Sequence, residues 1–282
     1  MGEADETVRD LTAVLQELGA DVDAVVTRSE EDLWDELAVS ADEGRRVVLV
    51  GGDGTVHSAA NAPLARLPEL ALVPAGRANN IARALGIPTT RADALAVAAA
   101  MPTRPLDALR IETPERLEYA VEALSAGFQA EARSGYSADN SSDLRQGLRA
   151  FARALRSYRP YSVRTAGTPL ESDAAAQLFV SNLPYFGFGF EVDPGADPSD
   201  GRFELILMEA RSRRRLLRLL GASRRGRHLG KRGVRREAGE SVSLTRPLPL
   251  VADATQLGTT TADVSVAQGR LRLAAPEGVE AT

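Results

Sequence analysis

Apolar positions in the first hundred residues recur at two periods. Val8, Leu11, Leu15 and Leu18 fall at i, i+3, i+7 and i+10, one face of a helix over 6–18 that Gly19 ends. Asp21 to Thr27 alternates weakly and closes on Val25-Val26, which predicts a strand. Ser29, with Asp32 three residues on, starts a second helix that reaches about Asp42. Arg46 to Val50 reads as a strand, Val56 to Leu67 as a helix stopped before Pro68, and Leu70 to Val73 as the next strand. A short helix over 81–85 ends at Gly86-Ile87-Pro88, and an Ala-rich helix over 90–100 ends at Pro102. Helix and strand in alternation with tight connections predict a parallel α/β sheet.

The pattern changes after Pro105. Apolar runs become short and alternate with polar residues, at 109–112, 120–124, 177–180, 203–208, 241–244, 249–252, 262–266 and 271–273. Two helical stretches interrupt them, roughly 143–157 and 212–221. Many short strands with turns between them predict an antiparallel sandwich or barrel. The expected organisation is therefore a Rossmann-like parallel-sheet domain over 1–105 followed by a larger antiparallel β-sandwich domain over 106–282.

Composition adds exclusions. The 282 residues are 44% hydrophobic and 26% charged, ordinary for a globular chain, and contain no cysteine. Disulfides, thiolate metal sites and a cysteine nucleophile are ruled out. No run of about twenty apolar residues and no basic-then-apolar leader is present, so the expectation is a cytoplasmic protein whose membrane contact, at the inner face, is peripheral. Net charge is −5 but unevenly spread: residues 1–44 hold fourteen acids and two arginines, and residues 211–236 hold eleven arginines and one lysine with no acid. That basic stretch suits an anionic lipid surface; it lacks the aromatic interleaving and motifs of a nucleic-acid binder. Oligomeric state is not legible.

The candidate chemistry sits where the strands end. Val47-Val-Leu-Val50 runs into Gly51-Gly52-Asp53-Gly54-Thr55, a turn whose glycines let backbone N–H groups face an anion, with a helix start beside it. Gly and Asp are also common in ordinary turns. A carboxylate inside a phosphate cradle repels phosphate unless a cation lies between them, so Asp53 points to a divalent metal, Mg²⁺ by preference. Pro74-Ala75-Gly76-Arg77-Ala78-Asn79-Asn80 follows the next strand in the same way. Neighbouring loops at the carboxyl ends of parallel strands form the ligand crevice of an open α/β sheet. Gly76 permits close approach, Arg77 suits a phosphate, and Asn79 suits a base or ribose.

These motifs, with Asn61, Ala82-Arg83 and Leu85-Gly86-Ile87-Pro88, resemble the diacylglycerol kinase catalytic-domain family, and more closely the soluble bacterial lipid kinases related to sphingosine kinases. The likeness continues through Ser125-Ala-Gly127-Phe128, Val180-Ser-Asn182 with Gly187 and Gly189, and Pro194-x-Ala196-Asp197-Pro-Ser-Asp200-Gly201-Arg202. It covers roughly residues 20–275. It implies ATP with its phosphates on Gly51, Gly52, Asp53, Gly54 and Thr55, with Val56 and His57 following. Thr27, Gly76, Arg77 and Asn79 would add contacts. It implies Mg²⁺ through Asp53 and a second, structural Mg²⁺ on Asp197, Asp200 and the backbone of Arg202. A lipid hydroxyl, that of diacylglycerol first, attacks the γ-phosphate, with Asp253 as the base.

The chain also departs from the family. Its Asp-Gly-Glu reads Asp253-Ala254-Thr255, so a hydroxyl stands at the glutamate position. Gly-Thr-x-Asn-Asp reads Gly76-Arg77-Ala78-Asn79-Asn80, Asp-Asp-Gly reads Ser199-Asp200-Gly201, and the glutamate after the first loop is Ser58. The resemblance starts at the first helix, without the family's opening strand and its Asn-Pro-x-Ser-Gly loop. Two other readings therefore stand beside the kinase: a degenerate member that binds nucleotide or lipid with little transfer, and an NAD kinase, which shares Gly-Gly-Asp-Gly-Thr.

Overall fold

A computed structural model of the chain describes residues 11–17, 19–134, 144–187 and 189–276. Two compact units emerge, Met1–Leu106 with Gly269–Thr282, and Asp107–Gln268. The C-terminal stretch from Gly269 thus groups with the first unit, whereas the sequence pattern assigned all of 106–282 to the second. Its apolar alternation is the same as that of the strands before it, so nothing local marks the change of unit.

In the first unit, residues 11–17 form helix α1, with Leu11 and Leu15 buried; Val8 and Leu18 of that pattern lie outside the described residues. The strand expected over 21–27 is absent: residues 20–28 are irregular, and Val25 and Val26 are 51% and 46% exposed. Two adjacent valines point to opposite faces of a strand, so this segment has no single apolar face to bury. Helix α2 (Glu30–Glu43) starts as expected, the Ser29 side chain accepting the Asp32 N–H, and ends at Gly44 in the left-handed region. Strand β1 (Val47–Gly51) leads into α3 (Asp53–Ala60), β2 (Leu70–Pro74), α4 (Asn80–Ala84) and α5 (Arg91–Ala100).

Strands β1 and β2 pair in parallel from Val47↔Leu70 to Gly51↔Pro74, so both glycine loops leave the same end of the sheet. Leu273, near the C-terminus, pairs in parallel with Leu70 on the other side of β2. Leu11, Leu15, Val73, Ala94 and Leu95 close one face, and Ala71, Ala98 and Ala274 the other.

The chain leaves this unit along β3 (Thr103–Glu112). The second unit continues with β4 (Leu117–Ala120), β5 (Ala123–Gly127), α6 (Phe128–Ser134), α7 (Leu144–Ser157), β6 (Tyr161–Val163), β7 (Thr165–Ala166) and β8 (Ser172–Ser181). There follow β9 (Tyr185–Phe186), β10 (Phe190–Glu191), β11 (Phe203–Glu209), α8 (Arg213–Ser223), β12 (Val234–Gly239), β13 (Ser241–Ala252) and β14 (Thr255–Ala274). Five strands run β13-β5-β8-β11-β12, each pair antiparallel.

Alternation along the central strands sorts two cores. Leu178 and Val180 of β8 join Leu205 and Leu207 of β11 on one face, with Leu244 and Leu250 of β13. Phe179 and Ile206 point to the other, under Phe128 of α6, Ala154 of α7 and Leu216, Leu219 and Leu220 of α8. The single strand expected over 120–124 is broken at Val121-Glu122, and the runs at 241–244 and 249–252 belong to one strand.

Candidate functional site

The first loop is tighter than an open turn. Helix α3 starts at Asp53, three residues before the apolar pattern suggests, and ends at Ala60. Asp53, Gly54 and Thr55 are therefore its first turn, in which the Thr55 N–H donates to the Gly52 carbonyl at 3.0 Å, and Gly52 carries no side chain to cap the helix. A Cβ on Gly51 would fall 2.7 Å from the Thr55 Cβ, whereas one on Gly54 would meet nothing within 4 Å. Gly51 is required by packing; Gly54 keeps the space in front of the helix start open.

The second loop closes against the first. A Cβ on Gly52 would sit 2.8 Å from the Gly76 Cα, and one on Gly76 2.7 Å from the Gly52 Cα. The Ala75 N–H donates to the Gly51 carbonyl at 2.8 Å. Asn79, in the left-handed region at φ 48°, braces the turn in both directions: its Oδ1 accepts the Gly76 N–H and its Nδ2 donates to the Gly76 carbonyl, each at 3.0 Å. That amide shapes the loop from which the sequence expects a hold on base or ribose. Asp53 ties the pair together, its Oδ1 accepting the Ile81 N–H at 2.9 Å. Arg77 is exposed at the loop tip, Thr27 is exposed in the irregular stretch before α2, and Val56 and His57 turn inward.

Asp253 has a different setting. It occupies the two-residue turn between Ala252 and Thr255, at φ 49°, and is 6% exposed. Its Oδ2 accepts the Val121 N–H at 2.7 Å; its Oδ1 accepts those of Glu122 and Ala123 at 2.8 and 3.0 Å. Three successive N–H groups form a nest, a concavity that takes an anion. Here the anion is the protein's own carboxylate. The nest explains the break at Val121-Glu122: those residues turn their N–H groups to Asp253 instead of to a neighbouring strand. Three of the carboxylate's roughly four acceptor positions are thereby occupied. Thr255 opens β14 beside it.

Asp197 and Asp200 are exposed on one loop, where each braces the backbone two residues on: Asp197 Oδ1 accepts the Ser199 N–H at 3.0 Å, and Asp200 Oδ1 the Arg202 N–H at 2.9 Å. Below them Arg236 bridges Asp193, at 2.5 Å, and Glu204, at 3.0 Å. Burial holds the Glu204 carboxyl above the usual carboxylate range, with Arg236 opposing the shift. Among the described residues no three His, Cys, Asp or Glu side chains gather as a metal cage.

Glu122 and Arg270 escaped the sequence reading, and Asn182 entered it only as part of a motif. Glu122 falls within the run at 120–124; it is 5% exposed, and its Oε2 accepts the Gly187 N–H at 3.0 Å. Asn182 donates to the Asp107 and Val121 carbonyls, both at 2.9 Å, and so fixes the chain next to the nest. Arg270 caps the end of α3, donating to the carbonyls of Ala60, Ala62 and Leu64 at 2.8–3.0 Å. An acid inside an apolar run was a visible signal for Glu122, and the Val180-Ser-Asn182 motif one for Asn182; Arg270 has none, because its partners lie 206–210 residues away.

Residues 1–111 match the family model described as the diacylglycerol kinase catalytic domain, and residues 117–275 match the YegS C-terminal NAD kinase beta sandwich-like domain. A diacylglycerol kinase of Staphylococcus saprophyticus is 26% identical over 249 residues, which is 85% of this chain and 79% of that protein. A Shewanella frigidimarina protein named probable lipid kinase YegS-like is 29% identical over 215 residues, 72% of this chain and 67% of that one. A crystal structure of a diacylglycerol kinase from Bacillus anthracis has the same fold, with a TM-score of 0.73 at 18% identity over 98% of this chain and 93% of that one.

Proposed function

The chain belongs to the diacylglycerol kinase catalytic-domain family with the YegS-type C-terminal domain, and from that premise we propose that it is an ATP-dependent lipid kinase with diacylglycerol as acceptor. The observation that carries the reading is the contact of Gly52 with Gly76, tied by Asp53, at the carboxyl ends of two parallel strands. In the transfer, the lipid hydroxyl oxygen forms a bond to the γ-phosphorus, the bond to the β–γ bridging oxygen breaks, ADP leaves, and the hydroxyl proton passes to a carboxylate. Positioning and charge neutralisation supply most of the catalysis in such reactions. The first turn of α3 supplies N–H donors to the phosphates, and Arg77 supplies a cation where the family has a hydroxyl.

The donor set suits Mg²⁺, which takes one or two carboxylates together with phosphate oxygens and water rather than an all-protein cage. Asp53 would hold it at the first loop, and Asp197, Asp200 and the backbone of Arg202 would hold a second ion. Held at Asp53, a metal ion would neutralise phosphate charge.

One observation favours a second reading, a member that binds nucleotide or lipid with slow transfer. The carboxylate expected to act as base, Asp253, is engaged by three N–H groups, and Thr255 next to it is not an acid. Transfer of labelled γ-phosphate to diacylglycerol in mixed micelles separates the two. The kinase reading predicts lipid phosphorylation that Asp53→Ala lowers by about a hundred- to a thousand-fold. No transfer above background by the unaltered chain, with nucleotide binding retained, supports the second reading instead. The match to a diacylglycerol kinase catalytic domain weighs against an NAD kinase.

A further inference from the structure

The basic stretch 211–236 is not one surface. Part of it is spent on the fold: Arg235 pairs with Glu209 and Arg236 with Asp193 and Glu204, while Arg215 donates to the Glu209 carbonyl. Outward charge remains on α8, at Arg214 and Arg218, and on the arginines that follow it, and α7 stands with α8. Ala154 of α7 and Leu216, Leu219 and Leu220 of α8 cover the same apolar cluster. The Arg213 guanidinium donates to the Arg156 carbonyl and joins the end of one helix to the start of the other.

On their outer faces both helices show the same composition. In α7, Arg149 and Arg156 are exposed two turns apart, and Leu148 is 67% exposed. In α8, Arg214 and Arg218 are exposed one turn apart, with Leu217 between them at 44%. Neither helix contains an Asp or a Glu. A solvated helix face loses nothing by replacing those leucines with polar residues and gains by pairing its charges i to i+4. A face with arginines around an outward leucine suits the boundary between lipid headgroups and acyl chains, the guanidinium on the phosphates and the leucine below them.

We infer that α7 and α8 together form a docking surface for a membrane rich in anionic phospholipid. This goes beyond phosphotransfer, since vesicle binding requires no turnover, and it adds to the basic run a second helix, α7, that lies outside it in the sequence. No described helix is long and apolar enough to cross a membrane, so the contact is a surface one. Two arginine-bearing helices meet the need of stable attachment for more than one weak signal.

Sedimentation of the full chain with vesicles tests it. Vesicles of phosphatidylcholine with phosphatidylglycerol bind the protein, vesicles of phosphatidylcholine alone do not, and about 0.5 M salt releases it. Replacing Arg149, Arg156, Arg214 and Arg218 with glutamate lowers binding by more than about a hundred-fold, since each surface charge contributes about five-fold. Leu148→Ser with Leu217→Ser lowers it about ten-fold at unchanged charge. Unchanged melting temperature verifies the fold; if the glutamate variant melts early, glutamine at the same four positions replaces it. Equal binding to neutral and anionic vesicles, or full binding by folded variants, overturns the inference. So does binding of double-stranded DNA with none of either vesicle.

Discussion

Asp53, in the first unit, opens helix α3 and accepts the N–H of Ile81, 28 residues on; Asp253, in the second, is 6% exposed and accepts three, from residues 130–132 positions away. The two carboxylates resemble each other in sequence, each in a turn after an apolar strand. They differ in what holds them. Local backbone geometry places Asp53 at a helix start with an open side at Gly54. Long-range hydrogen bonds close around Asp253 and use it to turn the chain between β4 and β5. A side chain that supports the backbone this way is poorly placed to trade its bonds for a proton, so under the proposed function the phosphate chemistry falls to Asp53, while Asp253 serves the architecture.

The largest effect on stability should come from breaking the nest. Asp253→Ala leaves three enclosed N–H groups without their acceptor and is expected to cost about 3 kcal/mol or more, read as a lower denaturant midpoint at unchanged slope. A variant as stable as the unaltered chain would show that water or another group replaces the carboxylate.

A pair of glycine substitutions sharpens the other side. Gly52→Ala drives a Cβ against the backbone of Gly76 and is expected to cost about 1–3 kcal/mol. Gly54→Ala meets open space and is expected to leave stability unchanged or raise it by up to about 1 kcal/mol, since alanine is the better helix residue. Under the proposed function it should nevertheless weaken nucleotide binding, because its methyl would project into the space left for phosphate. Thermal melts with and without ATP read both effects. Equal losses from the two substitutions would contradict the assignment of the open side to Gly54.

How far each region could be read from the sequence follows the same division. The glycine loops, the Ser29 cap and the parallel pairing of β1 with β2 rest on contacts between neighbours in the chain, and the pattern of residues carries them. The nest at 121–123, the Arg270 cap on α3 and the return of residues 269–276 to the first unit rest on partners some 130 to 210 residues away. An apolar alternation looks the same whichever sheet it joins. The strand expected at 21–27 failed for the opposite reason: Val25-Val26 supplied β propensity without a face to bury.

A smaller effect concerns pH. His228, between α8 and β12, is fully enclosed, and burial holds its imidazole below the usual histidine range. The unfolded chain takes up a proton as pH falls through about 6.5 while the folded one does not, so stability declines from there toward the lower folded value. The slope from this one group is at most about 1.4 kcal/mol per pH unit. His228→Gln should flatten the dependence of melting temperature on pH between about 7 and 5; an unaltered profile would remove His228 as its source.

The most direct test puts the two aspartates through one pair of measurements, γ-phosphate transfer to diacylglycerol and denaturant unfolding, on Asp53→Ala and Asp253→Asn. Asp53→Ala, which strands one N–H group, should cost about 1–2 kcal/mol, less than Asp253→Asn, and lose transfer by about a hundred- to a thousand-fold. Asp253→Asn, which keeps one acceptor oxygen, should be clearly destabilised, yet retain more transfer than Asp53→Ala under conditions where both are folded. The reverse pattern, with Asp253→Asn stable but inactive and Asp53→Ala active, would contradict the division of roles.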